Sequence, residues 1–187
     1  MPPSNEHRMN HLDPFTAASL DGLDWRVRRL GELSPLELLR IMRARQQVFI
    51  IEQNCPYLDA DTADEHSWHL SAWLPDDQLC AYARVVDPGV NYHEASIGRV
   101  ITTQAFRGRG LGRELLARAI QHATTAYRAP LAIRISAQSH LQAFYGGFGF
   151  RAQGDVYQED GIPHIAMLRP AGRPVDSDPS GRAAADA

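Results

Sequence analysis

The sequence predicts one mixed α/β domain, and three local patterns carry that expectation. A strand runs into a glycine-rich turn that opens a helix, two apolar runs are joined by a short polar turn, and a capped amphipathic helix precedes both.

In chain order the helix comes first. Ser34-Pro35-Leu36-Glu37 sets an N-cap hydroxyl, a proline at the first helical position and a glutamate at the reciprocal capping position. Leu38, Ile41, Met42, Val48 and Phe49 keep helical spacing, so the helix is expected to reach about Ile50 with one face on a sheet. Residues 68–74 and 79–86 alternate or run apolar, and Pro75-Asp76-Asp77-Gln78 between them is turn chemistry; together they predict a hairpin. A strand at 96–102 leads into Arg107-Gly108-Arg109-Gly110-Leu111-Gly112 and then a helix with Leu111, Leu115, Leu116, Ala119, Ile120 and Ala123 on one side. Residues 131–135 alternate behind Pro130 as the next strand. Leu141, Phe144, Tyr145 and Phe148 then mark a short helix, which Gly146, Gly147 and Gly149 are expected to end with positive φ. Two closing strands fall at 150–157 and 164–168, around Glu159-Asp160-Gly161-Ile162-Pro163.

Outside this pattern the chain changes character. Residues 1–22 mix polar residues, proline and histidine without a period and read as a flexible arm; 170–187 read as a disordered tail; the working domain is 23–169. A length of 187 residues with 44% apolar content suits a single core. The net charge of -3, without blocks of basic residues, argues against nucleic acid and anionic membranes as partners. No apolar run is long enough to span a bilayer, and Cys55 and Cys80 form neither a metal spacing nor a disulfide framework, so a cytoplasmic setting is expected.

The glycine turn is the first feature with chemistry in it. A helix start presents backbone N–H groups without intrahelical partners at the positive end of the dipole, and Gly108, Gly110 and Gly112 leave that backbone open to a phosphate. Arg107, Arg109 and Arg113 add cationic charge for a pyrophosphate. Taken alone the triplet is also compatible with a plain positive-φ loop. A nucleotide P-loop would require Lys and Ser or Thr after the last glycine, where this chain has Arg113-Glu114, and the dinucleotide fingerprint does not fit either.

Arg107, Gly110 and Gly112 behind the strand Val100-Ile101-Thr102 give the pattern Arg-x-x-Gly-x-Gly, which resembles the GNAT superfamily of N-acetyltransferases. Gln138-Ser139-His140-Leu141-Gln142-Ala143-Phe144-Tyr145, followed by Gly149-Phe150, is similar to that superfamily's later motif, with Gln138 where relatives often carry Asn. The stretches 45–64, 137–142 and 157–165 look like its ElaA-like branch. The resemblance implies a mostly antiparallel central sheet with helices on both faces, splayed at the cofactor site. It implies acetyl-CoA as co-substrate, its arm on the backbone of Val100, Ile101 and Thr102, and its pyrophosphate on Arg107, Gly108, Arg109, Gly110, Leu111, Gly112 and Arg113, with Gln138 nearby. Tyr145 takes the place of the tyrosine that protonates the departing thiolate.

The implied reaction is direct attack of a primary amine on the thioester. The acceptor is a small molecule, peptide or protein, and a homodimer is a common arrangement among relatives. Glu52, His69 and His164 are candidate substrate contacts, and with His140, Glu159 and Asp160 they are the candidate bases; water is another. Arg99 reads as a salt-bridged residue or a substrate contact. Asp59, Asp61 and Asp64 lack the glycine and glutamate of a calcium loop, so no metal is expected, and they read as an acidic rim for a cationic amine or as a solvated loop. Two further readings stay open: an acyl-CoA-binding sensor without turnover, and a homoserine-lactone-synthase-like transfer to an unusual acceptor.

Overall fold

The computed structural model describes residues 22–127 and 131–172; the expected arm up to residue 21 and the tail from residue 173 lie outside the described residues. Strands β1 (Asp24–Arg29), β2 (Ser67–Trp73), β3 (Leu79–Val86), β4 (Ala95–Thr102), β5 (Ile133–Gln138), β6 (Arg151–Ala152), β7 (Tyr157–Glu159) and β8 (Ile162–Arg169) form one sheet. Its order is β1-β2-β3-β4-β5-β8-β6, with β7 also paired to β8. Every neighbouring pair is antiparallel except β4 and β5, so the sheet is mixed, open and mostly antiparallel, as predicted.

Among the described residues the α-helices are α1 (Pro35–Arg45), α2 (Leu111–Thr125) and α3 (Gln142–Gly146). α1 starts where the capping box puts it: the Glu37 amide donates to Ser34 Oγ (3.2 Å) and the Ser34 amide donates to Glu37 Oε2 (2.8 Å). Ile41 packs with Trp73, Leu79, Tyr82 and Ile101 on one face of the sheet. On the other face Leu111, Leu115, Leu116, Ala119, Ile120 and Ala123 of α2 meet Ala81, Ala83, Val85, Ile97 and Ile133, with Tyr145 and Phe150 in the same core. The small side chains of β3 let the α2 backbone approach closely.

Four expectations are corrected. The α-helix stops at Arg45 and continues as a π-helical turn over Gln46–Glu52; its wider spacing keeps Val48 and Phe49 against the core and carries Gln53 toward β5. The segment 150–157 is two short strands, β6 and β7, not one. Of Gly146, Gly147 and Gly149, only Gly149 (φ 83) has positive φ. Gly147 stays right-handed at φ -60, so the chain tightens through it and reverses at Gly149, whose amide donates to the Gly146 carbonyl. Strand β1 was not anticipated. Its Trp25 and Val27 alternate with arginines, two of which cover aromatic faces: Arg29 lies 4.0 Å from the Trp68 ring centroid and Arg26 5.1 Å from that of Trp73.

Strands β4 and β5 pair only at Ala95–Ile133 and Ser96–Arg134, then part. A bulge sits just beyond. Tyr82 pairs with Ile101 but Arg84 pairs with Gly98, so Arg99 and Val100 together oppose Ala83, and Arg99 adopts φ 51. The bulge bends β4 as it leaves β5, and the gap between the two strands is a cleft.

Candidate active site

The glycine turn follows the end of β4 that has parted from β5. Gly108 (φ 71) and Gly110 (φ 82) hold left-handed backbone, and a Cβ built on either would meet nothing within 4 Å. Gly112 has ordinary φ, and a Cβ there would make an ordinary contact with Thr102 Cγ2 at 3.7 Å, where α2 passes β4. The first closed bonds of the helix run from the Arg113 and Glu114 amides to the Gly110 carbonyl, and the preceding amides of Leu111 and Gly112 belong to the turn that has no intrahelical acceptor. Arg107 is committed elsewhere: its Nη2 donates to Glu52 Oε2 (2.6 Å) and its Nε to the Thr102 carbonyl (3.1 Å), tying the π-turn to the end of β4. Arg113 and Arg109 stack on Phe148 and Phe106 at the helix start. Open left-handed glycines at the head of a fifteen-residue helix suit the pyrophosphate of a CoA ester.

The cleft itself has a volume of about 350 Å3. β5 turns Ile133, Ile135 and Ala137 into the core, and the alternation sends Ser136 and Gln138 into the cleft. Val100, Tyr145, Glu159, Asp160 and His164 line it, with Phe49, Gln53, Cys55 and Tyr57 from the segment after α1. Gln138 Nε2 donates across it to Gln53 Oε1 (3.3 Å). Cys55, 8% exposed, donates its thiol to the Asp160 carbonyl (3.5 Å) and holds the two walls together.

Tyr145 is also only 8% exposed, and its ring is fixed edge-on between Phe144 and Phe150. Burial alone pushes its pKa up to about 12, with no partner pulling it back. The result is a neutral phenol, positioned by its ring and with its hydroxyl uncommitted. On β8, where it pairs with Gln138, His164 has its Nδ1 2.8 Å from the Ile162 carbonyl, which can only accept, so Nδ1 carries the proton and Nε2 keeps a lone pair in the neutral ring. Ser136 Oγ donates to Glu159 Oε2 (2.7 Å) and accepts from Tyr157 OH (2.7 Å).

A family model described as an acetyltransferase (GNAT) domain matches residues 47–169. The chain belongs to the GNAT acetyltransferase family. Within it, the chain is 44% identical over 146 residues to a UPF0039 protein of Synechocystis, covering 78% of this chain and 94% of that one. It is 38% identical over 149 residues to ElaA of Escherichia coli, covering 79% and 96%. The crystal structure of ElaA superposes with a TM-score of 0.73 over 79% of this chain and 99% of ElaA. An acyl-CoA N-acyltransferase of Pseudomonas aeruginosa is 44% identical and superposes with a TM-score of 0.75 over 79% and 99%. These likenesses assign the chain to the ElaA-like branch and to acyl transfer.

A charged floor lies beneath the cleft, and it revises several expectations. Arg45, fully buried, donates to Asp59 Oδ2 (2.8 Å) and Asp64 Oδ1 (2.7 Å); Arg84, 4% exposed, donates to Asp61 Oδ1 (2.6 Å) and Asp64 Oδ1 (2.8 Å); Arg99 donates to Asp59 Oδ1 (2.7 Å). Asp59 and Asp64 are each 5% exposed and Asp61 keeps a 38% exposed side chain, so two of the three aspartates are buried in ion pairs and only Asp61, paired with Arg84, stands at the surface. Among the described residues no group of three or more His, Cys, Asp and Glu is placed to hold a metal ion. His69 is fully buried between Tyr82 OH (2.7 Å) and the Asp64 carbonyl (3.0 Å), and it does not line the cleft; as a substrate contact it is corrected to a packing residue. Glu52 pairs with Arg107 outside the cleft, and His140 is exposed in a separate shallow hollow beside β6. Gln53, Tyr57, Arg84, Ser136 and Tyr157 were missed. Only Arg84 had a legible signal, a lone charge in the otherwise apolar run Leu79-Cys80-Ala81-Tyr82-Ala83-Arg84-Val85-Val86.

Proposed function

We propose that this protein transfers an acetyl group from acetyl-CoA to a primary amine, with Tyr145 as the acid and His164 as the base. What supports the reading is one arrangement: the parted strands β4 and β5 open a cleft between the glycine turn and Tyr145. A pantetheine arm is an extended chain of amides, and the β4 backbone from Val100 to Thr102, without a β5 neighbour, offers it the groups a strand would. The pyrophosphate then falls on the backbone from Gly108 to Arg113. Gln138, bonded to Gln53, borders the arm.

In the reaction the neutral amine nitrogen attacks the thioester carbonyl carbon, a C–N bond forms and the C–S bond breaks. His164 Nε2 takes the proton from nitrogen, and Tyr145 donates to the departing sulfur. A phenol of raised pKa is suited to this because the same burial disfavours the thiolate, so the two acidities shift together. Acetyl is a small acyl group, which suits a cleft of about 350 Å3 that must hold acyl group and acceptor together.

Calorimetric titration tests the donor site. Acetyl-CoA is expected to bind, and Gly110→Val to weaken binding by about tenfold or more, since a β-branched side chain at φ 82 strains the turn and covers its amides. Equal affinity of the two proteins would move the pyrophosphate off this turn.

A further inference from the structure

Arg84 is the largest departure from what a strand beneath a cleft requires. Both of its Nη atoms are engaged, Nη1 with Asp61 and Asp64 and Nη2 with Asp61 Oδ2 (2.8 Å), but its buried Nε has no acceptor among the described residues. A guanidinium N–H left in this way is costly inside a protein unless a ligand completes it. Arg84 lines the cleft, and so does Arg99 beside it. The two guanidiniums share one carboxylate, for Arg99 Nη2 lies 3.6 Å from the same Asp61 Oδ2. Arg99 is held by Nε and Nη2, at Asp59 Oδ1 and the Asp59 carbonyl (3.1 Å), under the rings of Phe49 and Tyr57. Both side chains border the cleft, Arg84 with its Nε and Arg99 with its Nη1 outside the bonds to the aspartates.

Between these groups and the cleft mouth the wall is cut away. Gly98 pairs with Arg84 across the ladder, lines the cleft, and a Cβ built on it would meet nothing within 4 Å. Its φ is not positive, so no backbone demand explains the glycine. It leaves a hollow directly over Arg84. The opposite wall has the reverse polarity: Glu159, Asp160 and the Ser136 hydroxyl face it from β5 and the β7–β8 turn.

We infer that the acceptor is a small amino acid, an amine and a carboxylate on one molecule, whose carboxylate enters the hollow over Gly98 onto Arg84 and Arg99 while its amine lies toward Glu159, Asp160 and His164. The inference rests on the acyl-transfer reading: the acetyl group goes to nitrogen, with C–N formation and C–S cleavage as above, and the carboxylate is unchanged. The two N–H groups match the two oxygens of a carboxylate, the site is desolvated enough for those bonds to discriminate, and the cleft volume admits a single amino acid beside the acyl group.

The test compares amino acids with their amides and with the matching amines that lack the carboxylate, each supplied to the full chain with acetyl-CoA. Acetylation of the amino acids is expected to exceed that of both other series by about 10- to 100-fold in kcat/KM. Gly98→Val puts a side chain into the hollow, where a Cβ meets nothing within 4 Å, so it is expected to raise KM for the amino acid by about tenfold or more and leave KM for acetyl-CoA unchanged. Equal use of the decarboxylated amines, or no change in the amino-acid KM of Gly98→Val, overturns the inference while acyl transfer stands. Failure of all three series to accept acetyl overturns both.

Discussion

Tyr145→Phe is expected to lower kcat by about 100- to 10,000-fold, the range of a lost general acid, and to leave acetyl-CoA affinity within about twofold. The substitution keeps the ring that Phe144 and Phe150 grip and removes only the hydroxyl. That hydroxyl borders the cleft and makes no hydrogen bond to another described residue, so its loss costs no internal hydrogen bond, and stability is expected to hold. The pairing of the two readouts separates chemistry from structure. Steady-state kinetics beside urea unfolding checks it: unchanged kcat removes Tyr145 from the mechanism, and a joint fall of kcat and stability makes it a packing residue.

The second large effect is on stability. Arg45→Leu is expected to cost roughly 3–5 kcal/mol, because it leaves Asp59 and Asp64 buried with one arginine fewer between them. Chemical denaturation at neutral pH measures it. The same network sets an acid response. Burial by itself would raise the Asp64 carboxyl, but the hydrogen bonds and charges of Arg45 and Arg84 outweigh it and hold the pKa down at about 2, against 3.8 for the free group. As pH falls the unfolded chain therefore takes up the proton first, and the stabilisation, present above about pH 4, drains away between about 4 and 2. Asp64 is expected to contribute roughly 2 kcal/mol of that loss. Asp64→Asn should be less stable at neutral pH yet flatter across this window; an equally steep acid response would show that another carboxylate controls it.

The fold was legible where local chemistry decides it. The capping box at Ser34 and Glu37, the turn at Pro75-Asp76-Asp77-Gln78 and the apolar face of α2 are contiguous patterns, and each element formed where it was expected. β1 was missed because Arg26, Arg28 and Arg29 disguise an edge strand whose apolar cover is supplied by tryptophans from β2. The donor side of the candidate site was legible for the same reason as α2: a glycine turn and its helix are one short segment. The floor was not. Arg45 meets its aspartates 14 and 19 residues on, and Arg84 and Arg99 meet theirs from strands beyond them, so the pairing that buries Asp59 and Asp64 exists only after the sheet has formed. The π-turn after Arg45 was unreadable too, since helical spacing continues smoothly through Val48 and Phe49 while the backbone changes pitch.

The coupling of the glycine turn to the cleft is the centre of the account, and thiol release is its most direct measure. The purified chain is mixed with acetyl-CoA and a panel of primary amines, free CoA thiol is followed by a thiol reagent, and the amines are weighed by mass spectrometry. Stoichiometric thiol release with one amine gaining one acetyl group is the predicted result. Binding of acetyl-CoA without thiol release on any amine would contradict it and make the cleft a receptor for the thioester instead of a site of transfer.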